Sequence, residues 1–268
     1  MPARPLRAAA VLTAGALVLA SSAAVANAAG NAQRATVRVQ VSAKHRVIAP
    51  ASLRPGLVHV VNTASRELML VRKKHKGRSG YVKDYNRATN TAGSIRFYKD
   101  FDVVDVITSH TDEYLRLAKG TYYLSDDTTA TVTSAQVRTV SVSGHRQSAT
   151  APRSSLVPVA ANGHVPASVT VGRRYAHVVN HSATPHIVSI VSIRSSATAQ
   201  QVRDAIADPA RHDPFKLTGT YFAPLGLIAA HTDLYKRLRV RHGRYFLFAA
   251  SLTHPGLAKG KVGLLTVK

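Results

Sequence analysis

Gly243-Arg244-Tyr245-Phe246-Leu247-Phe248-Ala249, then His254 in the following loop, then Lys261-Val262-Gly263-Leu264-Leu265-Thr266-Val267 at the end of the chain, is the stretch on which the reading of the fold turns. A glycine two residues ahead of a tyrosine makes a tight corner. The aromatic and aliphatic run behind it is short and β-prone, and the closing run is apolar and β-branched. With Leu234 to Val240 ahead of the corner, the order is strand, corner, strand, His-bearing loop, final strand.

The corner occurs twice. Gly120-Thr121-Tyr122-Tyr123-Leu124 precedes Gly243-Arg244-Tyr245-Phe246-Leu247 by 123 residues. Val106-Ile107-Thr108-Ser109-His110-Thr111-Asp112 returns 121 residues later as Leu227-Ile228-Ala229-Ala230-His231-Thr232-Asp233. Val58-His59-Val60-Val61-Asn62 returns 118 residues later as Ala176-His177-Val178-Val179-Asn180. Three ordered matches with a small drift in offset indicate a duplicated domain with loop insertions. The period is too long for a solenoid repeat of roughly 20–50 residues, so each copy is expected to bury its own core.

Within the first copy, strand-like runs cover Thr36 to Val41, Leu57 to Val61, Leu68 to Val71, Tyr114 to Leu117, Thr121 to Leu124 and Arg138 to Val142. The second offers Ser168 to Val171, Tyr175 to Val179, Ile187 to Ile193 and the tail. Thr198 can cap a short helix in which Val202, Ala205 and Ile206 share a face, ending before Pro209; its counterpart, Ser79 to Arg87, is less regular. Short strands joined by Gly, Pro and Asn turns predict an all-β protein of two tandem antiparallel β-sandwiches of Greek-key type, with a short helix in the second. The expected division is a signal peptide over 1–28, a first domain over 31–145, a linker over 146–158 and a second domain over 159–268.

The leader rests on Arg4 and Arg7 ahead of an apolar run from Ala8 to Ala20, followed by small-x-small cleavage sites ending at Ala26 and Ala28. That run is shorter than the roughly 20 residues needed to span a bilayer, and no later segment is apolar enough. The expectation is a secreted protein, extracellular or associated with the cell wall. It has no cysteine, hence no disulfide, and must be stabilised by core burial alone.

The chain carries 36 Lys and Arg against 13 Asp and Glu. Both halves are basic: residues 31–150 have 19 basic and 9 acidic side chains, residues 151–268 have 15 and 4. Such a balance favours anionic partners with salt-dependent affinity. The densest run is Arg72, Lys73, Lys74, Lys76 and Arg78. A second set, Arg237, Arg239 and Arg241, alternates with Leu238 and Val240, which on a strand puts three guanidinium groups on one face. Aromatics are 6% of the chain and no tryptophan is present, so the stacking platforms of single-strand nucleic-acid readers are missing. Anionic polymers of the cell envelope are the expected partners, and sequence-specific nucleic acid is not.

From about Pro166 to Lys268 the second copy resembles plastocyanin-like cupredoxin domains. A strand ends in Asn180, a short loop closes in Thr184-Pro185-His186, and the tail follows. The resemblance implies copper ligands at His186 and His254, but Ala249 stands at the position of the copper cysteine and Lys261 at that of the methionine. In the first copy Arg66 or Glu67 falls near the first histidine position, Asp126 falls at that of the cysteine, and no histidine follows. A thiolate copper centre therefore cannot form anywhere in this chain.

A copper or zinc site would have to use histidines alone, with His186, His254 and a third donor such as His231, Asp233 or His181. No cofactor is the principal expectation. His59 with His177, and His110 with His231, are shared by both copies and read more simply as structural. Two-domain cupredoxins include laccases and nitrite reductases, but those need the missing cysteine and paired His-x-His ligands. No nucleophile elbow, His-Glu-x-x-His helix or phosphate-binding glycine loop occurs either, so no enzymatic activity is expected.

Overall fold

The computed structural model describes residues 36–74, 80–88, 97–98, 100–147, 150–172, 174–251 and 260–268. The expected signal peptide, 1–28, lies outside them. The first half runs β1 (Thr36–Val41), β2 (Val47–Ile48), β3 (Ser52–Leu53), β4 (Gly56–Asn62), β5 (Leu68–Lys73), α1 (Tyr81–Arg87), β6 (Phe101–Ile107), β7 (Asp112–Leu117), β8 (Gly120–Asp126) and β9 (Arg138–Val142). The second runs β10 (Ser155–Val159), β11 (Ser168–Val171), β12 (Tyr175–Asn180), β13 (His186–Ile193), α2 (Ala199–Ala207), a 3-10 turn (Pro214–Leu217), β14 (Thr218–Ile228), β15 (Asp233–Arg237), β16 (Gly243–Ser251) and β17 (Val262–Val267). No helix among the described residues is long and apolar enough to cross a membrane.

Three sheets form: β3-β9-β8-β5-β6, β11-β17-β16-β13-β14, and a seven-stranded sheet β10-β12-β15-β7-β4-β1-β2 drawn from both halves. Each half lays its own five-stranded sheet over its share of the common one. One continuous core fills the space between, from Val58, Leu70 and Leu115 in the first half to Val178, Ile190 and Leu247 in the second. The sandwich architecture expected from the sequence is present. The halves, however, share a sheet and a core instead of burying two separate ones. Strand β10 also begins within the segment read as linker, because Ser155–Val159 finds a ladder partner in β12.

Four pairings are parallel, β1 with β4, β10 with β12, β11 with β17 and β3 with β9, against the purely antiparallel expectation. In β10–β11–β12 the middle strand lies in the opposite sheet, so the chain crosses the sandwich and returns in the same direction without needing a helix. Strand β15 ends at Arg237, short of Val240, where pairing with β12 stops.

The repeated motifs have physical causes. Tyr122 and Tyr245 are buried, and each hydroxyl donates to the carbonyl four residues earlier, Ala118 at 2.8 Å and Arg241 at 2.9 Å. Each ties down its corner as in other β-sandwiches. The glycines two residues ahead, Gly120 and Gly243, have φ of 152° and 150°, which residues with a Cβ rarely adopt. Asn62 and Asn180 end equivalent strands, fully buried, and each amide donates to three carbonyls: Arg66, Ile107 and Thr108 in one half, Thr184, Ile228 and Ala229 in the other. His110 and His231 hold the left-handed position of equivalent turns, with φ of 50° and 55°.

Candidate functional site

His186 opens β13 and is 1% exposed. Its Nδ1–H is shared by the Thr184 carbonyl at 3.0 Å and Ser182 Oγ at 3.1 Å, leaving Nε2 as a buried acceptor without a hydrogen-bond partner. Burial, reinforced by the nearby Lys261 cation, pushes this imidazole below its usual pKa and keeps it neutral. Such a nitrogen is a competent metal ligand; its surroundings are not those of one. A methyl group built on Gly163 would collide with both Nε2 of His186 and the Lys261 amine, so the two crowd one point. The amine is anchored there by the Gly163 carbonyl at 2.8 Å, and the Lys261 carbonyl accepts the backbone N–H of Ala249 at 3.0 Å.

An ammonium thus stands beside the buried His186 imidazole, next to the alanine that takes the thiolate's place. His231 is exposed in the β14–β15 turn, and His254 falls outside the described residues. Among the described residues no three His, Cys, Asp or Glu side chains group to hold a metal ion. The described residues alone do not assemble a copper centre.

The first half fills the corresponding region with charge. Asp126, wholly buried at the end of β8, accepts from His45 at 2.8 Å, Arg66 at 3.2 Å and the Thr128 backbone at 2.9 Å. Burial alone would raise its pKa, but the Thr128 bonds, His45 and Arg66 outweigh it and hold the carboxylate below the usual range.

A charged cluster forms where the two halves meet, and its pairings are ones the sequence reading did not connect. Strands β7 and β15 are equivalent in the repeat and pair antiparallel, Tyr114 opposite Tyr235, which puts a local two-fold axis through that pair. On the outer face each half supplies the other's partner. Arg116 binds Asp233 through Nε at 2.8 Å and Nη2 at 3.3 Å, and Arg237 binds Asp112 at 2.6 Å. His59 and His177 complete the two clusters, each beside its aspartate and stacked on a tyrosine, with ring centroids 4.4 Å apart for His59–Tyr114 and 4.1 Å for His177–Tyr235.

The inner face breaks the symmetry. Lys236 reaches Asp105 of β6 at 3.2 Å and also Glu113 of β7, all three essentially buried. Gly226 of β14 lies against them so closely that a Cβ there would sit 2.7 Å from Asp105 Oδ1.

The arginine ridge has the predicted alternation: Arg237, Arg239 and Arg241 are exposed, Leu238 is buried and Val240 half-buried. Arg237 and Arg239 also edge a shallow cleft of about 380 Å³ with His59, His110 and Asp112. Since Arg237 already serves Asp112, the ridge offers Arg239 and Arg241 as its outward charges.

The other basic run is not a uniform patch. Arg72 Nη2 donates to the Lys119 carbonyl at 3.0 Å, Lys73 closes β5 opposite Phe101, and Lys74 pairs with Asp102 at 3.1 Å. Lys76 and Arg78 fall outside the described residues. Sequence reasoning missed the cross-half pairs because the partners lie more than 100 residues apart; the equivalent Asp-x-x-x-Arg spacing in both copies, Asp112 to Arg116 and Asp233 to Arg237, was the available signal.

No family model and no curated protein matches this sequence. Among solved structures the chain is similar to a purple cupredoxin from Nitrosopumilus maritimus, at 16% identity over 42% of this chain and 99% of that one, with a TM-score of 0.25. It is also similar to auracyanin B, at 19% identity over 42% and 86% with a TM-score of 0.23, and to a multicopper oxidase, at 10% identity over 87% and 88% with a TM-score of 0.24. Overlap this loose assigns neither cofactor nor activity. By its own sheet arrangement the chain is a doubled β-sandwich joined through one sheet, and its described residues present no set of metal ligands.

Proposed function

We propose that this is a secreted, non-enzymatic binding protein whose basic surface takes anionic polymers of the cell envelope. The observation that supports it most directly is the ridge: Arg239 and Arg241 face outward beside Arg237 while the intervening apolar residues turn in. Polymer phosphates or carboxylates spaced along a chain can be met by charges at alternate positions of the segment that follows β15, and the affinity would come from counterion release. The test is retention on a polyanion column. Retention should fall steeply between low and physiological salt, and the triple replacement Arg237→Glu, Arg239→Glu, Arg241→Glu should weaken it. Retention unchanged by both treatments would end the proposal.

One atom favours a competing reading, copper or zinc held by histidines: Nε2 of His186 is buried and unpartnered. Lys261 opposes it, since a metal cation would have to displace or deprotonate the neighbouring ammonium.

A further inference from the structure

At the other end of the β7–β15 junction from the ridge, a cleft of about 600 Å³ is lined by both halves. Five parts of the chain meet there, four of them bearing charged or titratable side chains. Strand β5 contributes Arg72, β7 and its turn contribute Arg116 and Lys119, the segment after β9 contributes His145 and Arg146, and the β14–β15 turn contributes His231 and Asp233. Four permanent cations therefore face one carboxylate. That carboxylate is already taken, by both nitrogens of the Arg116 fork and by His177 at 3.0 Å.

The cationic groups differ in how they are held. Arg116 is oriented by Asp233. Arg72 is fixed through Nη2 on the Lys119 carbonyl, while its Nε is buried without an acceptor. A buried donor that lacks an acceptor is unfavourable. Lys119 and Arg146 are exposed and free to adapt. Two oriented guanidinium groups with two adaptable charges suit an anion with three or four oxygens and up to two negative charges better than a planar carboxylate, which a single arginine fork saturates.

We propose that this cleft binds an oxyanion of the phosphate class, with Arg72 and Arg116 as oriented donors and Lys119 and Arg146 closing over it. The volume lies in the range of small-molecule sites and exceeds what a bare phosphate fills, so the phosphate is expected to be carried on a larger group. None of the ridge arginines lines the cleft, so this site is independent of the polymer surface.

The experiment is calorimetry and thermal shift on the full chain at constant ionic strength, with inorganic phosphate, glycerol phosphate and a short glycerol-phosphate oligomer as probes and with acetate and chloride as controls. Saturable binding of at least one phosphate probe, a rise in melting temperature and no comparable effect of the controls are expected; the tightest probe identifies whether the phosphate is free, a monoester or part of a chain. Lys119→Ala with Arg146→Ala, both at exposed positions, should weaken that binding about tenfold or more, as loss of two charge contacts implies. Arg239→Glu with Arg241→Glu should leave it intact. Phosphate indistinguishable from chloride, affinity that survives the cleft variant, or affinity lost equally in both variants would overturn the proposal. Failure here with column retention still dependent on the ridge removes the cleft alone.

Discussion

Replacing Lys236 by methionine is expected to be the most damaging single change at the seam between the halves. The side chain is 3% exposed, and its ammonium contacts Asp105 Oδ2 at 3.2 Å, the Val106 carbonyl at 3.0 Å and Glu113. One cation serves two wholly buried carboxyl groups. Burial, with the Asp105 charge adding, pushes Glu113 well above the usual carboxylate range. Burial alone would lower Lys236, but the two carboxyl groups raise it to about 12.

Methionine keeps most of the packing volume and removes the charge, leaving the acids unneutralised where water does not reach. Breaking a buried pair in this way costs about 3–5 kcal/mol, out of roughly 5–15 kcal/mol for a whole domain. The pH dependence follows from the direction of the Glu113 shift. The folded protein holds a proton that the unfolded chain releases, so Glu113 favours folding fully below the normal carboxylate range, and this contribution is lost as pH rises through its folded pKa. Without the ammonium, which lowers it, Glu113 is harder still to ionise. The penalty of Lys236→Met should therefore be largest near pH 8 and smaller near pH 5.

Urea unfolding at both pH values, followed by tyrosine fluorescence and circular dichroism, measures it. Adding Glu113→Gln to Lys236→Met should recover much of the loss and complete a double-mutant cycle. A penalty under about 1 kcal/mol at pH 8, below the range for a broken buried pair, or one that grows toward acid, would refute the reasoning.

Asn180→Ala should cost about 1–3 kcal/mol by stripping a shared donor from three carbonyls, read as a lowered urea midpoint with an unchanged slope. Asp233 is brought to a pKa of about 2 because His177 and Arg116 outweigh the effect of burial, so its share of stability is present above the ordinary aspartate range and is lost as pH falls toward 2. Asp233→Asn should lower the melting temperature at neutral pH and flatten the acid limb below pH 4. Millimolar Cu(II) or Zn(II) should leave the melting temperature unchanged; a rise abolished by His186→Ala would instead establish the histidine site.

The fold was legible wherever the physical cause is local. The Gly-x-Tyr corner is visible because the tyrosine bonds a carbonyl only four residues away, and the strands because burial alternates along them. The missing thiolate was equally plain, since its absence from the composition is absolute. The Lys261 substitution was visible too, although only the fold shows its amine crowding Nε2 of His186.

The sequence by itself determined that two copies of one β-sandwich unit follow one another, that both are basic and that neither contains a cysteine. It could not show that β7 and β15 would pair, since any exposed strand edge offers the same backbone donors and acceptors to many partners. Only the tertiary structure decided that pairing, and with it the single shared sheet, the exchange of Arg116 and Arg237 between the halves, the burial of Lys236 against acids more than 120 residues away, and the cleft in which four cations converge. Each depends on contacts between distant segments, for which local pattern carries no signal.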